Sequence, residues 1–158
     1  MQIAVGSDHR GFELKQIIIK LLSDMGYSST DMGCYDDSTV DYPDVAAKVA
    51  KSVASGKADQ GILICGTGIG MSITANKISG IRAALCANNI SASMARQHND
   101  ANILCMGSTI IRKRLAQEIT RTFISSQFDG GRHTRRVDKI ATIEQDNLDV
   151  NATHQESR

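Results

Sequence analysis

Cys65 ends the apolar run Gly61-Ile62-Leu63-Ile64-Cys65 and begins the loop Gly66-Thr67-Gly68-Ile69-Gly70. A thiol where a strand meets the start of a helix sits where thiolate is favoured, and a thiolate is a usable base. The alternate glycines leave backbone N–H groups free to point at an oxyanion. The loop is not a dinucleotide fingerprint, because Met71 stands where the third glycine belongs and the strand ending at Cys86 carries no acid. Nor is it a P-loop, since no Gly-Lys-Ser/Thr closes it. The competing reading is a tight strand-to-helix turn beside a small buried cysteine, which is how we read Cys86 and Cys105.

Two histidines stand beside polar partners, in Ser7-Asp8-His9 and His98-Asn99-Asp100. Neither belongs to an i, i+4 histidine pair or a carboxylate cluster, so a metal is not expected. A histidine that changes protonation near neutrality can instead open a sugar ring or shuttle a proton. The competing reading is a hydrogen-bonded structural residue. Arg132 and Arg136 follow Gly130-Gly131 and share a helix face, where guanidinium forks suit a phosphate. A solvated basic face is the alternative, and we read Arg112-Lys113-Arg114 that way.

The elements that must position these groups alternate. A strand at Ile3–Val5 precedes a helix over Phe12–Met25, whose Leu14, Ile18, Leu21 and Met25 share a face and which Gly26 ends. A strand near Tyr27–Met32 leads to Pro43 in the first turn of a helix carrying Ala46, Val49, Ala50 and Val53 inward, closed by Gly56. The run ending at Cys65 reads as a strand buried on both faces, and Ile81–Cys86 and Asn102–Met106 repeat that signature. Helices are expected near Gly70–Lys77, Ser91–Gln97 and Arg112–Ser125. This βα alternation predicts an α/β fold, a three-layer αβα sandwich on a parallel five-stranded sheet, with ligands beyond the carboxyl ends of its strands. A last helix carrying Val137, Ile140 and Ala141 on one face comes after the sheet and is expected to pack on a partner subunit.

With 158 residues, 41% apolar and 22% charged, the chain fits one domain, read as 1–145, with a polar tail over 146–158 expected to fray. A formal net charge of +1 gives no general affinity for nucleic acid or acidic membranes. We find neither a secretory signal nor a membrane-spanning run, and Cys34, Cys65, Cys86 and Cys105 form no Cys-x-x-Cys pair. Free thiols and a cytoplasmic location are the expectation.

In order, Gly6-Ser7-Asp8-His9-Arg10-Gly11-Phe12, Asp41-Tyr42-Pro43, the Gly61–Gly70 block, Asn76-Lys77, Arg96-Gln97-His98-Asn99-Asp100 and Gly130-Gly131-Arg132-His133 resemble the ribose-5-phosphate isomerase B family. That family also includes galactose-6-phosphate and allose-6-phosphate isomerases. The resemblance implies a Rossmann-like sheet and a homodimer, or a dimer of dimers, with sites at the subunit interface. It further implies a cofactor-free, metal-free conversion of ribose 5-phosphate to ribulose 5-phosphate, with six-carbon sugar phosphates or mere binding of a sugar phosphate as alternatives. On the matching positions, Cys65 is the base, His98 the ring-opening acid and Thr67 a hydrogen-bonding helper of the thiol. Asp8 and His9 bind the sugar, with Tyr42, Gly66, Gly68, Ile69, Gly70 and Asn99 as further substrate contacts, and Arg132 and Arg136 clamp the phosphate. One branch of the family uses a glutamate later in the loop, but residues 69 to 76 contain no acid. The chain departs from relatives with an arginine near the end of the fifth strand, having Gly107-Ser108-Thr109 there and Arg112 as an unaligned substitute.

Overall fold

The computed structural model describes residues 1–156, with side chains as far as Asp149. Its elements in chain order are β1 (Gln2–Ser7), α1 (Phe12–Asp24), β2 (Ser28–Asp31), α2 (Tyr42–Ala54), β3 (Gln60–Cys65), α3 (Ile69–Ala75), β4 (Ala83–Leu85), α4 (Asn89–Asn99), β5 (Ile103–Gly107), α5 (Lys113–Ser125) and α6 (Thr134–Glu156). Short 3-10 turns stand at His9–Gly11 and Gly131–His133. All four strand pairings are parallel, in the order β2-β1-β3-β5-β4.

Right-handed crossovers dictate which face each helix covers. The chain steps one way from β1 to β2 and from β4 to β5, and the other way from β2 to β3 and from β3 to β4. Accordingly α1, α4 and α5 bury Leu14, Ile18, Ala92, Ala95, Ile119 and Phe123 against Ile3, Val5, Ile62 and Leu104 on one face. On the other, α2 and α3 bury Val45, Val49, Val53, Met71 and Ala75 against Ala4, Leu63, Ile103 and Cys105. The two cores use alternate residues of each strand, as the two-residue side-chain period requires. Phe123 is fully buried, and truncating such a side chain to alanine costs about 3–5 kcal/mol.

Helix ends follow the expected chemistry. Gly26 and Gly56 take φ of +81° and +73° just beyond α1 and α2, a conformation glycine adopts without the Cβ penalty. Pro43 lies in the first turn of α2, where the N–H it lacks would have had no intrahelical partner.

One expectation is corrected. Ile81–Cys86 is not a central strand: only Ala83–Leu85 pairs, and only with β5, so β4 is a short sheet edge with Leu85 43% exposed. The run is apolar although it lies at the edge, because Ala83 packs against one core and Ala84 against the other, with Ile81 and Cys86 buried at either end. α6 continues to Glu156, through the segment read as a polar tail, and Gln145 Nε2 donates to Asp149 Oδ1 one turn on at 2.9 Å. No described helix is long and apolar enough to cross a membrane.

Candidate active site

β1, β3 and β5 lie side by side, yet the loop after β3 leaves toward the α2/α3 face while those after β1 and β5 leave toward the other. A crevice therefore opens at their carboxyl ends, where ligands bind in sheets of this kind. Asp8 is buried there. Its Oδ1 accepts from the Gly11 N–H at 3.0 Å, which caps the 3-10 turn, and its own N–H donates to the Ile64 carbonyl at 3.2 Å. His9 follows, its Nδ1 accepting from the Val40 N–H at 3.4 Å.

Cys65 is buried at the end of β3, and the Gly68 N–H donates to its Sγ at 3.1 Å. That aim depends on Gly68 having φ of +79°. Because α3 is only seven residues long, the loop's contribution is its local N–H groups more than a helix dipole. Tyr42 closes the loop's far side, since a Cβ on Gly70 would lie 2.5 Å from its ring. Ile69 and Thr67 are exposed. The Thr67 hydroxyl accepts from the Ile69 N–H at 3.3 Å, and among the described residues no hydrogen bond joins it to the Cys65 thiol.

A buried cation holds the outer wall in place. Lys15 has no exposed surface, and its Nζ donates to Asp31 Oδ1 at 2.5 Å and to the Cys34 carbonyl, lying 5.5 Å from the Phe12 and Tyr35 ring centroids. Gly33 and Cys34 in turn pair with Ser7 through two backbone hydrogen bonds of 2.7 and 2.6 Å. Ser7 immediately precedes Asp8, so this chain of contacts fixes where the carboxylate stands.

The remaining predicted residues lie elsewhere. α4 begins at the carboxyl end of β4 and runs back beside the sheet, ending at Asn99 just before β5 starts. Its eleven residues span roughly 16 Å, so His98 and Asn99 stand at the amino edge, the opposite end from Cys65. α5 likewise returns the chain to that edge, where the His133 ring stacks on His98 at 4.2 Å and 3°. Arg132 and Arg136 flank this stack, and the Arg132 Nε–H donates to His133 Nε2 at 3.4 Å. Asp100, in the left-handed conformation, locks the end of α4 by accepting from Arg82 at 2.9 Å and Arg96 at 2.8 Å. The candidate residues thus fall into two groups, Asp8, His9, Tyr42, Cys65 and the glycine loop at one end of the sheet, and His98, Asn99, Arg132 and Arg136 at the other.

Burial pushes the Cys105 and Cys86 thiols up, which makes both poor nucleophiles. Burial first, then neighbouring His98, Arg132 and Arg136, hold the His133 imidazole below its ordinary value. His98, Asp129 and His133 bring ligand atoms within 4.8 Å of one another. Parallel stacked rings, however, keep their in-plane lone pairs in separate planes, and Arg132 and Arg136 oppose a cation there, so the group does not fit a metal as it stands.

Sequence reasoning passed over Lys15, Arg10 and His133. A lone lysine in an amphipathic helix carries no signal of burial, although its place on the stripe of Leu14 and Ile18 was visible in retrospect. Arg112, the sequence-level substitute for a lost phosphate contact, is exposed and does not line the cleft of about 530 Å³ beside His9, Ser108 and Thr109.

Comparison with known proteins gives concordant matches. A family model described as Ribose/Galactose Isomerase matches residues 3–140. Ribose-5-phosphate isomerase B of Escherichia coli (strain K12) is 47% identical over 144 residues, covering 91% of this chain and 97% of that protein. Among solved structures, ribose-5-phosphate isomerase B of Clostridium thermocellum superposes with a TM-score of 0.92 at 50% identity, covering 93% of this chain and 99% of that one. The Mycoplasma genitalium ribose-5-phosphate isomerase B with bound ribulose-5-phosphate gives 0.87 at 42% identity, covering 91% and 96%.

Proposed function

Since the chain belongs to the ribose/galactose isomerase family and is an aldose–ketose isomerase of sugar phosphates, we propose that it interconverts D-ribose 5-phosphate and D-ribulose 5-phosphate at a site shared by two copies of the chain. The observation that carries this reading is the buried Cys65 thiol, which receives the Gly68 N–H beside Asp8 and His9. The acid and arginines such a reaction needs lie at the far end of the same chain, within reach only for a second copy. A two-fold dimer that sets one copy's carboxyl edge against the other's amino edge completes two equivalent sites. Exposed Ile69, Ile73, Leu85 and Ile110 around the first edge, and Ile140 and Ile143 on α6, supply apolar surface for that contact.

In the reaction, Asp8 and His9 hold the sugar and His98 of the second copy assists opening of the furanose. The Cys65 thiolate takes the proton from the carbon beside the carbonyl and returns it to the neighbouring carbon, while that first carbon's hydroxyl proton passes to the former carbonyl oxygen. Negative charge develops on the enediolate oxygens, which the loop's free N–H groups stabilise. Arg132 and Arg136 hold the phosphate far from the reacting carbons. No step changes the overall oxidation state of the sugar.

Three measurements test this. Mixed Cys65→Ala and His98→Asn chains, each inactive alone, should regain about a quarter of wild-type activity, because random exchange makes half the dimers mixed and each mixed dimer has one intact site. Verified mixed dimers without activity would sink the shared site. Isomerisation in deuterated water should place label on the transferred carbon, since the thiol proton exchanges with solvent. Steady-state comparison of ribose, allose and galactose phosphates decides the sugar length, and a preference for a six-carbon phosphate would overturn the substrate named here.

A further inference from the structure

Resting on that reading, we infer that Arg10 is a phosphate-binding residue of the half-site at the carboxyl edge. Ser108 and Thr109, just after β5, run along the glycine loop and offer it hydroxyls. Ser108 Oγ donates to the Arg10 carbonyl at 2.9 Å, and Thr109 Oγ1 donates to the Gly66 carbonyl at 2.5 Å. Both hydroxyl protons are thus committed to the backbone. An anion entering here needs another donor.

Arg10 is placed to be that donor. The position a Cβ on Gly66 would take lies 3.2 Å from Arg10 Cδ and 3.7 Å from its Nη1, so the guanidinium lies across the glycine loop next to the residue that bears the thiol. Its backbone is fixed by the 3-10 turn His9–Gly11, which Asp8 caps, and by the bond from Ser108. Its side chain is exposed and makes no hydrogen bond or ion pair among the described residues. By contrast, Lys113, the other cation lining the same cleft, is engaged with Glu13 at 3.3 Å. A guanidinium with five free donors offers the bidentate fork that matches phosphate oxygens.

Burial decides between the phosphate of the substrate and the enediolate of the intermediate. The reacting carbons must meet the buried thiol, while the guanidinium stands at the solvent-exposed mouth, where the phosphate end projects. Arg10 therefore meets Arg132 and Arg136 of the second copy across one phosphoryl group.

The test compares Arg10→Ala, Arg10→Lys and Arg10→Ala/Thr109→Arg as full-length chains, reading KM, kcat and the inhibition constant of inorganic phosphate. Loss of a hydrogen bond to a charged group should raise KM and the phosphate inhibition constant together by about 10- to 100-fold, with a far smaller change in kcat. Arg10→Lys should recover part of the loss, because it restores the charge without the fork. A guanidinium returned at Thr109, which lines the same cleft, should recover more. Unchanged KM and phosphate inhibition in Arg10→Ala would overturn the assignment. So would a loss confined to kcat, which would place Arg10 at the enediolate instead. A wild-type protein that binds inorganic phosphate but turns over no sugar phosphate would defeat the isomerase reading, and Arg10→Ala weakening that phosphate binding would still support the assignment.

Discussion

Replacing Gly68 by alanine separates the cost of a backbone conformation from the cost of disturbing the thiol. Gly56 supplies the reference, because it too has positive φ, +73°, yet a Cβ there meets nothing within 4 Å. Gly56→Ala should therefore cost only the left-handed penalty, about 1–2 kcal/mol. Gly68→Ala pays a similar penalty at φ +79° and also sets a Cβ 2.5 Å from Leu85 Cδ1 and 2.8 Å from the carbonyl carbon of Met106. Leu85 can swing away at the sheet edge, but Met106 is backbone of buried β5 and cannot, which adds about 1–3 kcal/mol of overpacking. At about 2–4 °C per kcal/mol for a chain of this size, Tm should fall by about 2–8 °C for Gly56→Ala and by about 4–20 °C for Gly68→Ala. The relief of that contact moves the N–H that points at Cys65, so kcat should fall by about 10²–10³ for Gly68→Ala alone. Thermal melts and steady-state rates at a temperature where both variants are folded read the two effects separately. A Gly68→Ala protein as stable as Gly56→Ala and as active as wild type would refute both the steric argument and the role of the amide.

Lys15→Met should destabilise by about 1–3 kcal/mol, because the Cys34 carbonyl and the Asp31 carboxylate lose their donor. Adding Asp31→Asn should recover part of that in urea unfolding, and wild-type stability of Lys15→Met would show that the buried cation holds nothing. His133 titrates below its ordinary value in the folded chain, so its neutral form favours folding above the unfolded value near 6.5. Below that pH the unfolded chain takes up the proton first and stability falls as pH drops; His133→Asn should flatten this part of the Tm–pH profile between about pH 7 and 5. A profile unaltered by the substitution would show that His133 titrates normally.

The layered architecture was legible in the sequence because Ile62, Leu63 and Ile64 are buried on both faces of a central strand, and because Leu14, Ile18 and Leu21 keep strict helical spacing. What escaped was partnership. Periodicity records how apolar a segment is and not how many neighbours it has, so Ile81–Cys86 looked like Gly61–Cys65 although β4 lies at the sheet edge. Cys65, Asp8 and His9 were readable as one group because each follows a strand at the same edge. His98 is different, since it ends a helix that runs against the strands, and that direction places it at the other end of the sheet. Lys15 and Arg10 needed coordinates, because nothing in a side chain's type says whether its charge ends up paired in the interior or free over a glycine loop.

The strand order has a consequence for how the chain is made. β5, the last of the described strands, is inserted between β3 and β4. While the ribosome covers the stretch from Leu85 to Gly107, for roughly a second or more, β4 has emerged with no neighbour to pair with, and β3 presents an unpaired apolar edge. A nascent chain stalled after α4 holds a three-stranded β2-β1-β3 sheet open on one side, the kind of edge that recruits other chains. Only when Ile103–Gly107 slides in are both defects closed at once, so premature termination before Ile103 yields an aggregation-prone fragment rather than a smaller folded protein.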